Sequence, residues 1–146
     1  MNARSKEITQ PARFTKIGAD GKPLPADAKE WEVVADSKTG KMWTVETKRV
    51  SSHGKAGGAA KKMKAGGFDD WRLPDVEDLF LLADRTRHNP AIDTEYFPDT
   101  PSDWFWTSTP YAPVAGYSWD VSFSHGYAHG GRHDHDGFVR AVRGGQ

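Results

Sequence analysis

The sequence predicts a single α+β domain in which short strands and long ordered loops accompany two short helices. The chain has 146 residues, a length that fits one ordinary domain with its own core. Six Trp, seven Phe and four Tyr supply much of the apolar bulk, whereas leucine occurs only five times. An aromatic, sheet-based core is therefore expected. Several segments alternate apolar and polar residues, and one carries a helical stripe, which supports the same class.

The first predicted element is a hairpin that follows a polar amino-terminal segment. Residues 1–12 are expected to be a flexible leader, and residues 13–146 to form the single domain. In "EWEVVADSKTGKMWTVE", β-favouring residues flank the turn-forming "DSKTG", which predicts two antiparallel strands. Their expected shared buried face consists of Trp31, Val33, Trp43 and Val45.

Two helices are predicted next. The segment "SSHGKAGGAAKKMKAGG" predicts a short helix with Gly66 after its end. A clearer helix is predicted over residues 75–86, with Asp75 as its N-cap, and Arg72 just before it is expected to pair with a carboxylate. The apolar stripe of this second helix consists of Val76, Leu79, Phe80 and Ala83.

The carboxyl-terminal half is predicted to be a loop followed by strands. Residues 88–103 have frequent prolines and no sustained period, so we expect an ordered loop held to the core by Ile92, Tyr96 and Phe97. The strand-like segments are "DWFWTST", "YSWDVSFS" and "GFVRAVRGG".

The pleat of these strands predicts which side chains face the core. Trp104 and Trp106 share one face and are expected to pack inside. In the second strand, alternation predicts a buried face and a solvated one. The expected buried residues are Trp119, Val121 and Phe123, and the expected solvated residues are Asp120, Ser122 and Ser124.

Composition excludes several classes of protein. The chain has no cysteine, which rules out disulfides, thiolate zinc sites and a cysteine nucleophile. The first residues lack the apolar run of a secretion signal, and no window approaches the about 20 apolar residues that span a bilayer. A cytoplasmic location, or a place in a phage particle, and no membrane contact are therefore expected.

Charge is balanced overall but unevenly placed along the chain. The formal net charge is zero, which argues against a nucleic-acid partner. Residues 38–64 carry eight Lys or Arg against one acid, and residues 69–103 carry ten acids against three Arg. The two segments could neutralise each other, or the first could form a basic patch that faces an anionic partner. Its lysine cluster consists of Lys55, Lys61, Lys62 and Lys64.

The order of motifs resembles a known family. The motifs are "WRLPDVEDL", "NPAIDTEYFP", "DWFWTSTPY", "SWDVSFSHGY" and "FVRAVRGG". Together, over residues 14–143, they resemble the Lcl C-terminal domain family. The resemblance implies a C-type-lectin-like fold, with two helices flanking a small twisted antiparallel sheet, as in formylglycine-generating enzymes and the variable proteins of diversity-generating retroelements. The missing cysteines exclude formylglycine-generating activity, and of the calcium-dependent sugar-binding motifs only Trp119 and Asp120 are present.

The stretch "SHGYAHGGRHDHDG", residues 124–137, holds four of the six histidines. It could be a metal site built on His129, His133 and His135, a catalytic loop, a solvated turn or a binding face. Its mixture of Tyr, Arg, His, Gly and Ser is typical of recognition surfaces, and the resemblance implies a ligand-facing side here. The predicted ligand-binding residues are Tyr117, His125, Tyr127, His129, Arg132, His133, Asp134, His135 and Asp136.

The sequence therefore predicts a non-enzymatic binding module that recognises a protein or glycan through this carboxyl-terminal hairpin. No catalytic residue, metal or cofactor is expected, and a homo-oligomer is possible. Two alternatives stay open at this point. One is a diversified phage or bacterial receptor-binding protein. The other is a metal-binding protein or metal-dependent hydrolase that uses the clustered histidines.

Overall fold

The computed structural model describes residues 12–144 and shows a mixed α/β fold built mostly from strands. Apart from Ala12, the predicted leader lies outside the described residues. Two α-helices, α1 (Ala56–Lys61) and α2 (Val76–Phe80), accompany two 3-10 turns, His53–Lys55 and Ala65–Gly67. The strands are β1 (Phe14–Ile17), β2 (Val33–Asp36), β3 (Lys41–Thr44), β4 (Lys48–Val50), β5 (Trp104–Pro110), β6 (Tyr117–Ser122), β7 (Tyr127–Arg132), β8 (Gly137–Val139) and β9 (Val142–Gly144).

The strands form two sheets rather than the single small sheet that was predicted. One sheet has the order β1-β2-β3-β9 and is antiparallel, and the other has the order β4-β8-β5-β6-β7. In the second sheet, Phe105 and Phe138 form one parallel pairing between β5 and β8. The predicted last strand is in fact two strands, because the chain leaves the second sheet after Val139 and enters the first at Val142.

The hairpin of β2 and β3 is confirmed, but its predicted buried face is wrong at one residue. Val34 lies opposite Trp43, and Val33 lies opposite Thr44, so Val33 and Trp43 face different sides of the sheet. Val33 and Val34 are both fully buried. The sheet is covered on both sides here, and alternation alone cannot identify a single inner face.

Both predicted helices are present, and the second is shorter than expected. Asp75 caps α2 as predicted, since its Oδ1 accepts a hydrogen bond of 2.8 Å from the backbone N–H of Asp78. Leu79 is fully buried, and the other three residues of the stripe pack partly against the core. The helix ends at Phe80 rather than near residue 86, because the N–H of Asp84 instead donates to the carbonyl of Ala91 in the long loop.

The second sheet is also covered on both faces. Phe105 and Val121 belong to a core cluster that includes Leu79 of α2, whereas Trp106 belongs to a second cluster with Ala56 of α1. The prediction that Asp120 and Ser122 of β6 are solvated is therefore wrong, and Trp119, which was predicted to be buried, is only half-buried. The buried polar residues of β6 are Ser118, Asp120 and Ser122.

The loop over residues 88–103 is held to the core as predicted. Ile92 and Phe97 are fully buried, and Tyr96 is half-buried. Arg72 differs from the prediction, because its guanidinium donates to the carbonyl of Gly144 at 3.3 Å rather than to a carboxylate.

Arg140 lies between β8 and β9 and is fully buried. Its Nη1 donates to the carbonyls of Thr44 at 2.6 Å and Val45 at 3.0 Å, and its Nη2 donates to Oγ1 of Thr100 at 2.8 Å. The guanidinium carbon lies 4.7 Å from the ring centroid of Phe97. Burial lowers the pKa of Arg140 to about 9. Carbonyl and hydroxyl oxygens, together with an aromatic face, thus replace water around the two terminal nitrogens of this cation, whereas its buried Nε has no hydrogen-bond partner among residues 12–144.

We predict that Arg140→Ala lowers the free energy of unfolding by about 3–5 kcal/mol, because two buried carbonyl groups lose their hydrogen-bond donors and a cavity remains where the side chain was. Arg132→Ala, at an exposed position, should cost less than about 1 kcal/mol. Urea denaturation followed by tryptophan fluorescence measures both values. Equal stability of the two variants would contradict a structural role for Arg140.

Candidate functional site

The predicted binding hairpin is built around a regular edge strand. In the described residues, β7 pairs with β6 along its whole length and forms one edge of the five-stranded sheet. The register places Tyr127 opposite Ser122, His129 opposite Asp120 and Gly131 opposite Ser118. The centre of the histidine-rich stretch, Tyr127–Arg132, is thus held by ladder hydrogen bonds, with turns on both sides of it.

The pleat of β7 divides the predicted ligand-binding residues between the two faces of the sheet. Tyr127 and His129 project on the face that carries Trp104 and Trp106. Arg132 is on the opposite face and pairs in register with Tyr117. The nine predicted residues consequently do not form one continuous surface.

Three aromatic side chains form a compact cluster on the first face. The ring of His129 stacks on Trp104 with centroids 4.0 Å apart, and Tyr127 meets Trp104 edge-on at 5.4 Å. Tyr127 is 47 % exposed, and the side chain of His129 is exposed to the same fraction. Trp104, which was expected in the core, is half-buried between them. We call Trp104, Tyr127 and His129 the aromatic face.

A buried carboxylate fixes the imidazole of the aromatic face. Oδ1 of Asp120 lies 2.7 Å from Nδ1 of His129, while Asp120 itself is only 4 % exposed. Burial raises the pKa of Asp120 to about 6, and the hydrogen bond and charge of His129 partly oppose this rise. Among residues 12–144, Nε2 of His129 has no hydrogen-bond partner, so this nitrogen is available to a ligand.

Glycine at position 131 makes room for this carboxylate. A Cβ at Gly131 would overlap Oδ2 of Asp120 and would lie 3.1 Å from the Trp106 ring. The neighbouring Gly130 is equally constrained on the other face, where a Cβ would lie 2.7 Å from the ring of Tyr111. The two glycines therefore let aromatic rings pack against the backbone of β7.

Two further histidines, His53 and His133, lie on the same side of the sheet as the aromatic face, beyond the end of β7. His133 stacks on His53 with centroids 4.4 Å apart, and its Nε2 lies 2.8 Å from Oγ of Ser118. His53 donates from Nε2 to the carbonyl of Thr107 at 2.9 Å, and burial lowers its pKa. Both imidazole rings are therefore held in place by contacts within the protein.

The remaining predicted residues lie at the periphery. Arg132 and Asp134 form a bidentate ion pair with distances of 3.0 and 2.7 Å. Asp136 pairs with Arg49 of β4. His125 lies in the β6–β7 turn, and His135 is exposed after β7.

The structure separates the three histidines that were considered as metal ligands. Over residues 12–144, no group of three or more His, Asp or Glu side chains lies close enough together to hold a metal ion. His129 is held by Asp120 and His133 by Ser118. These anchoring points on β6 are two residues apart, which corresponds to roughly 7 Å along a strand. In the same described range, no helix has the length and apolar character needed to cross a membrane.

Comparison with protein families supports the resemblance found in the sequence. Residues 32–143 match the family described as the Lcl C-terminal domain. The chain belongs to this family. The match begins just before β2 and ends within β9, so it contains every element of the five-stranded sheet but not β1. No curated protein matches the chain.

Sequence reasoning missed three residues that build the site of this Lcl C-terminal domain. Trp104 was assigned to the core, Asp120 to solvent, and His53 was given no role. The spacing of Trp104 and Trp106 shows that both face one side of β5, but it does not show that only Trp106 is fully buried. The contacts of Asp120 and His53 join distant segments, so no local pattern reveals them.

We predict that Asp120→Asn changes how the stability of this Lcl C-terminal domain depends on pH. The folded pKa of Asp120 lies above the unfolded value of 3.8, so the native state holds the proton more tightly. In the wild type, ionisation should therefore remove up to about 3 kcal/mol of stability as pH rises from about 4 to 6. Asn keeps an acceptor for His129 but does not ionise, so the stability difference in favour of the variant should grow over this window. Urea unfolding at several pH values measures it, and a constant difference would contradict the raised pKa.

We also predict that Gly131→Ala destabilises the domain by about 1–3 kcal/mol, because the new methyl group overlaps Asp120. Gly58→Ala is the matched control, since a Cβ at that helical position meets no atom within 4 Å. It should be neutral or stabilising by up to about 1 kcal/mol. Thermal unfolding of the two variants provides the comparison, and equal melting temperatures would argue against the close approach.

Proposed function

We propose that this Lcl C-terminal domain is a non-enzymatic binding module that recognises a protein or glycan ligand through the aromatic face. The observation that carries this proposal is the exposed cluster of Trp104, Tyr127 and His129 above the buried Asp120. Aromatic side chains that are fixed before binding offer a large contact area at a small cost in conformational entropy.

The arrangement suits binding because each member of the cluster is held in place. Trp104 lies between the other two rings, and the carboxylate of Asp120 orients the imidazole of His129. The exposed edges present a phenol hydroxyl and an imidazole nitrogen beside apolar ring surface, a combination that serves both glycans and proteins. His133 extends the same side of the sheet, while Arg132 and Asp134 lie toward the other side.

A carboxylate that orients an imidazole also occurs in general-base catalysis, which makes an enzyme the natural competitor. A nucleophile would then be expected within hydrogen-bond reach of His129. Ser118 and Ser122 each lie two residues from Asp120 on β6, and neither forms a hydrogen bond with His129. Oγ of Ser122 lies 2.7 Å from Oγ of Ser124, and Oγ of Ser118 lies 2.8 Å from Nε2 of His133 but belongs to a residue that is only 2 % exposed. The burial of Ser118 and the pairing of Ser122 favour binding over nucleophilic catalysis.

We further propose that the fold is C-type-lectin-like. Two short helices in the core clusters on opposite sides of mostly antiparallel strands, with a long loop held to the core, support this assignment. On this proposal, a diversified receptor-binding protein would be a special case, in which the exposed side chains of β7 vary and its backbone stays constant.

The experiment compares three versions of the full chain on an array of neutral and acidic oligosaccharides and in pull-downs from the native lysate. Tyr127→Ala with His129→Ala should reduce a captured ligand's affinity at least about ten-fold, as expected for aromatic anchors. The control, Tyr117→Ala with His88→Ala, removes the same side chains away from the aromatic face and should bind like the wild type. Purified ligand and isothermal titration then give the affinities, and equal loss in both double variants would contradict the proposal.

A further inference from the structure

A second concave surface lies at the opposite edge of the five-stranded sheet from β7. It is a groove of about 820 Å³ between β4 and α1, a volume in the range of small-molecule sites. We call it the basic groove. Its charged lining residues are Glu46, Lys48, Arg49, Lys55, Lys62 and Lys64.

The positive charge of the basic groove is largely uncompensated within the described part of the chain. Arg49 pairs with Asp136, but none of the four lysines of the groove forms an ion pair with residues 12–144. Among the same residues, Lys41 and Asp78 form the one ion pair that joins the basic segment 38–64 to the acidic segment 69–103, at 3.4 Å. The expected mutual neutralisation of these segments therefore does not extend to the groove.

The basic groove carries most of its charge on lysine side chains, and these favour a phosphorylated ligand. Lysine ammonium groups act as compact point charges with freely rotating donors, which suits oxygen atoms spread over several phosphoryl groups. The apolar floor, formed by Val50, Ala59 and Met63, excludes some water and strengthens these attractions. No aromatic side chain lines the groove within the described chain, so it offers no platform on which a nucleobase could stack.

We propose that the basic groove binds a compact ligand that carries several phosphoryl groups and no aromatic base. Two sources share this chemistry: linear polyphosphate and a polyphosphorylated polyol. The groove shares no lining residue with the aromatic face, so a test of this site does not depend on the proposed function being correct.

The test is isothermal titration of the full chain with tripolyphosphate and, separately, with inositol hexakisphosphate. Lys62→Glu places an acid in the groove, whereas Lys61→Glu makes the same change in net charge at an adjacent helical residue that does not line it. We expect Lys62→Glu to weaken binding about ten-fold and Lys61→Glu less than about three-fold. Thermal unfolding checks that both variants keep the wild-type stability, and Lys48→Glu, from the opposite wall, repeats the test should Lys62→Glu fail to fold.

Salt and competing polymers complete the experiment. Binding should weaken strongly between about 10 mM and about 150 mM salt, as the Debye length falls from about 30 to about 8 Å. Tighter binding of tripolyphosphate would indicate linear polyphosphate as the ligand, and tighter binding of inositol hexakisphosphate would indicate a polyphosphorylated polyol. Three outcomes would overturn the proposal: neither probe binds at low salt, both charge reversals weaken binding equally, or an oligothymidylate binds more tightly than either probe and Lys62→Glu abolishes its binding.

Discussion

The buried guanidinium of Arg140 fixes the two sheets relative to each other. It lies where the chain passes from β8 to β9, and it donates to the carbonyls of Thr44 and Val45 at the end of β3. Its third partner, Thr100, belongs to the long loop. A cation without a carboxylate partner in the described chain needs these oxygens at set positions, since an unpaired buried charge costs several kcal/mol. The connection between the sheets is therefore much less tolerant of change than an ordinary loop.

The five-stranded sheet is covered by one core cluster that includes α2 and by another that includes α1, and this double covering explains why a carboxylate is buried in it. Once both faces are packed, the alternate residues of β6 must be internal, and Asp120 is among them. A buried carboxylate needs partners, and His129 supplies one from the neighbouring strand. Gly131 leaves the space that Asp120 occupies, and the resulting orientation of His129 places its ring on Trp104. The aromatic face is thus a consequence of core packing at one sheet edge.

The sequence predicts the features that depend on local pattern and misses those that depend on what covers each face. Asp75 as a cap, the stripe around Leu79 and the anchors of the long loop follow from spacing and turn chemistry. Val33 and Asp120 were placed on the wrong side because alternation shows that two faces differ but not that both are covered. The two tryptophans of β5 share a face, and position along the strand decides that Trp106 is buried and Trp104 is accessible.

The basic groove and the aromatic face lie at different places on the five-stranded sheet, and they attract ligands by different forces. Four strand spacings of about 4.8 Å separate β4 from β7, which carries Tyr127 and His129, whereas Trp104 on β5 is two spacings, roughly 10 Å, from β4. A compact phosphorylated ligand seated in the groove contacts a different set of residues from a ligand on Tyr127 and His129, and a polymer or a protein can contact both sets. Attraction in the groove depends on unpaired ammonium charges and is screened by salt. Contact with Trp104 and Tyr127 depends on buried ring area and is nearly insensitive to salt. A ligand that engages both surfaces would therefore keep part of its affinity at high ionic strength, and that remainder belongs to the aromatic face.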